Sequence, residues 1–262
     1  MSDESVRLHG FLVPNRSRSL LVRRCGDESS TFRWNLNDDS FAAGSQLIGR
    51  LYARRSDLSP GGGYLMFFAT DGQDQRWTGI SRAPFLNAQA HWMKESPAYG
   101  GGLFTGPRLF WLNDGDGHGE LQGEISGLER QEERPGDDYG SGCAGVYALR
   151  LQRDGWKLTE VRKNEEDVVT AHVFEKPLDE RWTLRKLAWT PPPWDDVTKE
   201  SHELVETTSG EAQPLEGWDW AELDRERVVW SVGGTLYSGQ LGSGGITGET
   251  TLVDLAEYRF RG

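Results

Sequence analysis

The stretch Asn113-Asp114-Gly115-Asp116-Gly117-His118-Gly119-Glu120 carries the densest run of possible ligands in the chain. Calcium loops alternate oxygen donors with turn-forming glycines, because a hard cation takes about six to eight oxygens around a sharply bent backbone. Asp114 and Asp116 stand at the first and third positions of such a loop and Gly119 at the sixth. Asp114, Asp116 and Glu120 are therefore the ligands expected if calcium binds. Two positions depart from that pattern: His118 replaces a third Asp or Asn, and Gln122 replaces the ninth-position carboxylate. A polar turn, rich in Asp and Gly for backbone reasons, accounts for the same residues. The expectation is no cofactor, with calcium as the alternative.

Other chemistry leaves fewer traces. No two of His9, His91, His118, His172 and His202 are spaced i, i+4, so no zincin helix is present. There is no Gly-x-Ser-x-Gly elbow, no phosphate loop ending in Gly-Lys, and no Gly-x-Gly-x-x-Gly turn in a βαβ unit. Gly140-Ser141-Gly142-Cys143-Ala144-Gly145 reads as a flexible loop whose thiol is inert, since the tract before it is acidic and disfavours a thiolate. With 41 Asp and Glu residues, pairs such as Asp38-Asp39, Asp137-Asp138 and Asp195-Asp196 belong to a solvated surface. No catalytic residue can be named.

Recognition by aromatic and basic side chains is the remaining signal. Trp194 follows three prolines and precedes Asp195-Asp196, and Tyr99 precedes Gly100–Gly102, so both sit on loops. Exposed aromatics on rigid loops anchor contacts. Arg82 and His91 flank the dense stretch Ser81–Lys94, which can line one face. Trp194, Tyr99, Arg82 and His91 are the expected binding residues. Trp92, Trp111 and most other tryptophans are expected in the core. Arg16, Arg18, Arg23 and Arg24 form a basic stretch, read as a solvated strand face with anion binding as the alternative.

The chain of 262 residues has a formal net charge of −12 and a hydrophobic fraction of 36%, with 11 Trp and 33 Gly. A few large aromatics must build the core, each removing about 150–250 Å² from water. The acidic balance argues against nucleic acid and anionic membranes as partners. No apolar run is long enough to span a bilayer. The opening Met1-Ser2-Asp3-Glu4 has no basic or apolar region of a signal peptide, and only Cys25 and Cys143 occur. A cytoplasmic protein is expected.

These side chains must be positioned by strands. Short apolar runs bounded by Gly, Asp, Asn and Pro recur, and helical periodicity is nearly absent. Strands are predicted over Ser19–Cys25, Thr31–Leu36, Gln46–Ala53, Tyr64–Thr70, Arg76–Arg82 and Leu184–Trp189. Hairpins are predicted over Leu103–Leu112 and, turning at Arg153-Asp154-Gly155, over Gly145–Val161. Glu129–Asp138 and Pro191–Asp196 read as loops. The C-terminal third reads as a four-stranded meander over Trp218–Leu223, Val228–Val232, Thr235–Leu241 and Thr250–Leu255, the size of one propeller blade.

The tract Trp218-Asp219-Trp220-Ala221-Glu222-Leu223-Asp224, then Arg227-Val228-Val229-Trp230, then Gly233-Gly234-Thr235-Leu236-Tyr237, resembles a blade of bacterial β-propeller proteins. Pro107-Arg108-Leu109-Phe110-Trp111 echoes Glu226-Arg227-Val228-Val229-Trp230, each placing a Trp toward the core. The resemblance implies an all-β fold, a single domain over residues 1–262 with five or six four-stranded antiparallel blades, Tyr258–Gly262 closing the ring. A two-sheet sandwich is the alternative. The expected function is non-enzymatic: a regulatory or immunity-type module binding another protein. The alternatives are a metal-dependent hydrolase with a central-channel site and a lectin binding a sugar or other small molecule.

Overall fold

The structure, a computed structural model, describes residues 5–13, 16–73, 75–115, 117–140, 142–190 and 199–260. It is an all-β protein of several antiparallel sheets, none of them closed, with a single α-helix among the described residues. The chain gathers into two compact units, Met1–Leu149 with Leu255–Gly262, and Arg150–Asp254.

The first unit contains β1 (Val6–Phe11), β2 (Arg18–Cys25), β3 (Glu28–Asn35), β4 (Ser40–Leu51), β5 (Asp57–Leu58), β6 (Tyr64–Asp71), β7 (Arg76–Arg82), β8 (Ala88–Lys94), β9 (Gly102–Phe104), β10 (Leu109–Leu112), β11 (Leu121–Gly123) and β12 (Glu129–Gln131). One sheet runs in the order β1-β2-β3-β4-β6-β7-β8-β11, with β5 beside β6, and a second runs β12-β10-β9. The strand β6 shows why the sheet is buried on both sides. Successive side chains on a strand point to opposite faces. Leu65, Phe67 and Ala69 join Phe11, Leu20, Val22 and Leu58 in one core cluster. Met66, between them, joins Ile80, Trp92, Phe104 and Phe110 in another. Trp111 is buried with Leu103, Val146 and Leu149.

The predicted strands up to β7 are present, although β4 begins at Ser40 and not at Gln46, and Leu103–Leu112 is a hairpin in which β9 and β10 pair antiparallel. The expected loop Glu129–Asp138 begins with β12, which lies parallel to β10. The tail from Leu255 onward returns to this unit. The buried Arg23 guanidinium donates to Leu255 O at 2.7 Å and Ala256 O at 3.0 Å, and Tyr258 meets the Phe32 ring edge-on. No strand is formed by the described tail residues 255–260.

One element corrects the sequence reading. Gly142–Arg153 is the helix α1, so Gly145–Gln152 is not a hairpin strand and Cys143 lies in a helical first turn rather than on a loop. The turn glycine was rightly placed but serves a different end. Gly155 has φ +91°, and its N–H donates to Gln152 O while Trp156 N–H donates to Leu151 O. That pair of bonds is a Schellman cap, which needs the left-handed conformation just past a helix and suits glycine.

The second unit holds a five-stranded antiparallel sheet of β13 (Lys157–Lys163), β14 (Val169–Pro177), β15 (Trp182–Trp189), β16 (Glu200–Glu206) and β17 (Ala212–Leu215), in that order. It also holds the meander β18 (Trp220–Asp224), β19 (Arg227–Val232), β20 (Thr235–Gly242) and β21 (Gly245–Asp254), close to the prediction. The two sheets face each other. Trp182 Nε1 donates to Gly242 O at 3.0 Å, Trp156 Nε1 donates to Glu222 at 2.8 Å, and the His202 and Trp218 rings lie 6.3 Å apart. Within this unit the two-sheet sandwich alternative fits. Trp156, Trp182, Trp220 and Trp230 are all buried.

Among the described residues no helix is long and apolar enough to cross a membrane.

Candidate functional site

The sheet of the first unit carries a cleft of about 210 Å³ lined by Arg18, Ser19, Leu20, Arg33, Gly62, Gly63, Arg82, Ala83 and Pro84. Its arginines come from three strands. Arg18 faces Asn35 and Leu20 faces Arg33 across β2 and β3, so the alternation of the strands puts Arg18 and Arg33 on one face as diagonal neighbours. Arg82 ends β7 opposite Tyr64 on β6.

The turn between β5 and β6 forms the cleft's floor at Arg18. Gly62 N–H donates to Ser59 O at 2.7 Å, and Tyr64 N–H donates to Ser59 Oγ at 3.0 Å. Gly62 has φ +68°, and a Cβ there would lie 2.9 Å from both Arg18 Cβ and Arg18 O. Glycine therefore permits both the turn and its approach to β2. The far wall is tied down by Ala83 N–H donating to Gly63 O at 3.1 Å and by the Thr31 hydroxyl donating to Pro84 O at 2.6 Å.

The electrostatics of the cleft differ from those of the rest of the chain. Arg18, Arg33 and Arg82 are exposed, and among the described residues no Asp or Glu lines the cleft. Among the described residues none of the three guanidinium groups is held by a carboxylate. Of the three, Arg82 alone has a side-chain partner among the described residues, the face of the Tyr64 ring at 4.1 Å. Elsewhere arginines find acids readily: Arg50 with Asp27, Arg130 with Asp114, Arg185 with Glu175 and Glu203, and Arg227 with Asp224. A guanidinium stays protonated at all ordinary pH and presents planar donors suited to oxyanions. Three of them around a concavity attract an anionic group.

Of the residues singled out from sequence, Arg82 lies in this cleft, and Arg18 of the basic N-terminal stretch joins it. Tyr99 sits elsewhere, its ring covering Gly115 and its carbonyl accepting from Arg55. His91 pairs in the sheet with Gly79 and Gln122. Neither lines the cleft. Trp194 and Asp116 lie outside the described residues. Arg33 was not singled out, because an arginine alone between Phe32 and Trp34 carries no local signal.

The supposed calcium loop is engaged differently. Asp114 Oδ2 accepts from Arg130 at 2.8 Å and Oδ1 accepts from His118 Nδ1–H at 2.7 Å. Cationic and N–H donors thus engage both carboxylate oxygens of Asp114, and Glu120 is exposed. Among the described residues no group of three or more His, Cys, Asp or Glu side chains is placed to hold a metal ion. With Nδ1 donating to a carboxylate, the neutral His118 ring offers Nε2 to the Thr78 hydroxyl at 3.0 Å. Burial pushes the His118 pKa down, and Asp114 opposes that shift.

The order Thr78, His118, Asp114 matches that of a nucleophile, base and orienting acid. Its setting does not. Thr78 is fully buried, and its oxygen already accepts the Gly101 N–H at 2.8 Å. The chain of bonds fastens the loop after β10 to the sheet. A second buried polar group lies in the other unit, where Lys186 Nζ and His202 Nε2 lie 3.1 Å and 3.3 Å from the same Glu200 oxygen. His202 Nδ1–H donates to Trp218 O at 3.2 Å, and burial holds its pKa down.

No family model matches the chain, and no curated protein matches it. Among solved structures, an uncharacterized protein from Listeria monocytogenes EGD-e aligns over 96% of this chain and 67% of its own, with 8% identity and a TM-score of 0.31.

Proposed function

We propose that this protein is a non-catalytic binding module that recognises an anionic group on a protein partner through Arg18, Arg33 and Arg82. The observation that carries the reading is three arginines without carboxylate partners around one small cleft, in a chain of net charge −12. Among the described residues the cleft holds no His, Asp, Glu, Lys or Cys that could act as a general base or thiol nucleophile. Its volume of about 210 Å³ is below the roughly 300–1,000 Å³ of pockets that enclose whole small molecules. It is sized for a charged group projecting from a larger body.

A β-propeller is the finer reading of the fold. It is supported by β18 to β21, four antiparallel strands joined by the two-residue turns Arg225-Glu226, Gly233-Gly234 and Ser243-Gly244. A cytoplasmic setting is supported by the low cysteine content, Cys25 and Cys143 alone in 262 residues.

The test is a thermal-unfolding screen of the full chain against phosphate, sulfate, citrate and an acidic peptide at fixed ionic strength. A concentration-dependent rise in Tm with at least one anion, abolished by Arg18→Ala with Arg82→Ala, is expected. No rise with any of them overturns the reading.

A further inference from the structure

We infer that the group taken by this cleft is a phosphate monoester; the inference rests on the anion-binding reading above. The argument is one of charge and valence. Arg18, Arg33 and Arg82 reach the cleft from β2, β3 and the end of β7, and no acid among the described residues of its lining offsets any of them. A carboxylate brings one negative charge and two oxygens in a plane. A phosphate monoester brings about −1.5 to −2 charges at neutral pH and three terminal oxygens. Three guanidinium groups supplied by three separate strands match three oxygens directed to different sides. Clusters of arginine are the usual means of holding such groups.

Two features prepare the site. Arg82 is stacked on Tyr64, so less side-chain freedom is lost when it binds. The Gly62 turn lies against the Arg18 backbone, which brings Gly62 and Gly63 to the same cleft without side chains in the way. The chain contains 41 Asp and Glu residues, and none of those described lines the cleft.

The phosphate can be carried by a partner's phosphorylated side chain or by a small phosphate ester, and the experiment separates them. The full chain is titrated calorimetrically with a blocked phosphoserine peptide, the same peptide with Glu in place of phosphoserine, glycerol phosphate and inorganic phosphate. The phosphopeptide is expected to bind at least tenfold more tightly than the Glu peptide. Arg33→Ala should weaken it tenfold or more, while Arg50→Ala, at a paired arginine outside the cleft, should leave it unchanged. Circular dichroism melts of each variant confirm that it is folded. Binding should also weaken as pH falls from about 7.5 to about 5, because the second phosphate proton titrates near pH 6.

Binding of glycerol phosphate but not the phosphopeptide keeps the phosphate chemistry and assigns the source to a small molecule. Equal or tighter binding of the Glu peptide overturns the phosphate inference and leaves the anion reading standing. Failure of every probe overturns both.

Discussion

The Arg82 guanidinium lies 4.1 Å from the centroid of the Tyr64 ring, and the two residues face each other across β6 and β7. Backbone pairing thus sets the ring under the cation. The contact is worth about 0.5–1 kcal/mol at an exposed site. Tyr64→Leu should leave the sheet intact but free the Arg82 side chain. Anion affinity is expected to fall by roughly two- to fivefold, read by calorimetric titration with inorganic phosphate. An unchanged affinity would show that Arg82 does not depend on the stack.

Gly62→Ala should damage both stability and binding. Its φ of +68° is unfavourable for any side chain, and the new Cβ would press on the Arg18 backbone oxygen at 2.9 Å. A cost of about 1–3 kcal/mol is expected, measured by urea unfolding, with a matching loss of phosphate binding. Gly61→Ala makes the control, because a Cβ there meets nothing within 4 Å.

Thr78→Val keeps the shape of a fully buried side chain and removes its hydroxyl. It leaves Gly101 N–H and His118 Nε2 without their partner. Orphaned buried groups cost about 1–3 kcal/mol, so the unfolding midpoint should drop while anion binding at the cleft, which Thr78 does not line, is unaltered. If the variant binds anions less well at a temperature where it is fully folded, the loop and the cleft are coupled.

Acid should destabilise the protein through His118 and His202. Burial lowers both pKa values in the folded state below the ordinary 6.5. The unfolded chain then binds more protons than the folded one below that pH. The stabilisation is fully present above pH 6.5 and is lost as pH falls through the folded values. The slope can reach about 1.4 kcal/mol per pH unit for each histidine. Urea midpoints measured between about pH 8 and 5 should therefore fall below pH 6.5. Replacing His202 by Asn should flatten its share of the slope, whereas an unchanged slope would remove His202 from the explanation.

Much of the fold could be read locally. The strands Tyr64–Asp71 and Arg76–Arg82 and the meander from Trp220 to Asp254 follow from apolar runs broken by Gly, Asp and Asn, because turn chemistry is a property of adjacent residues. The helix α1 could not be read in that way. Residues Gly145 to Leu151 are buried all round, which erases the polar face that marks a helix, and glycines at 142 and 145 argued against one.

The sequence by itself determined an all-β chain, acidic overall, with a tryptophan-rich core and an arginine at 82 worth noticing. Only the tertiary structure decided what that arginine does. Arg18, Arg33 and Arg82 are separated by 15 and 49 positions in the sequence, yet strand pairing and the Gly62 turn bring them to one cleft. Tertiary structure likewise brings Arg130 to Asp114, whose other oxygen accepts from its loop neighbour His118. Charge is written residue by residue, but which charges meet depends on sheet register, and that is settled by the burial of one face over many residues at once.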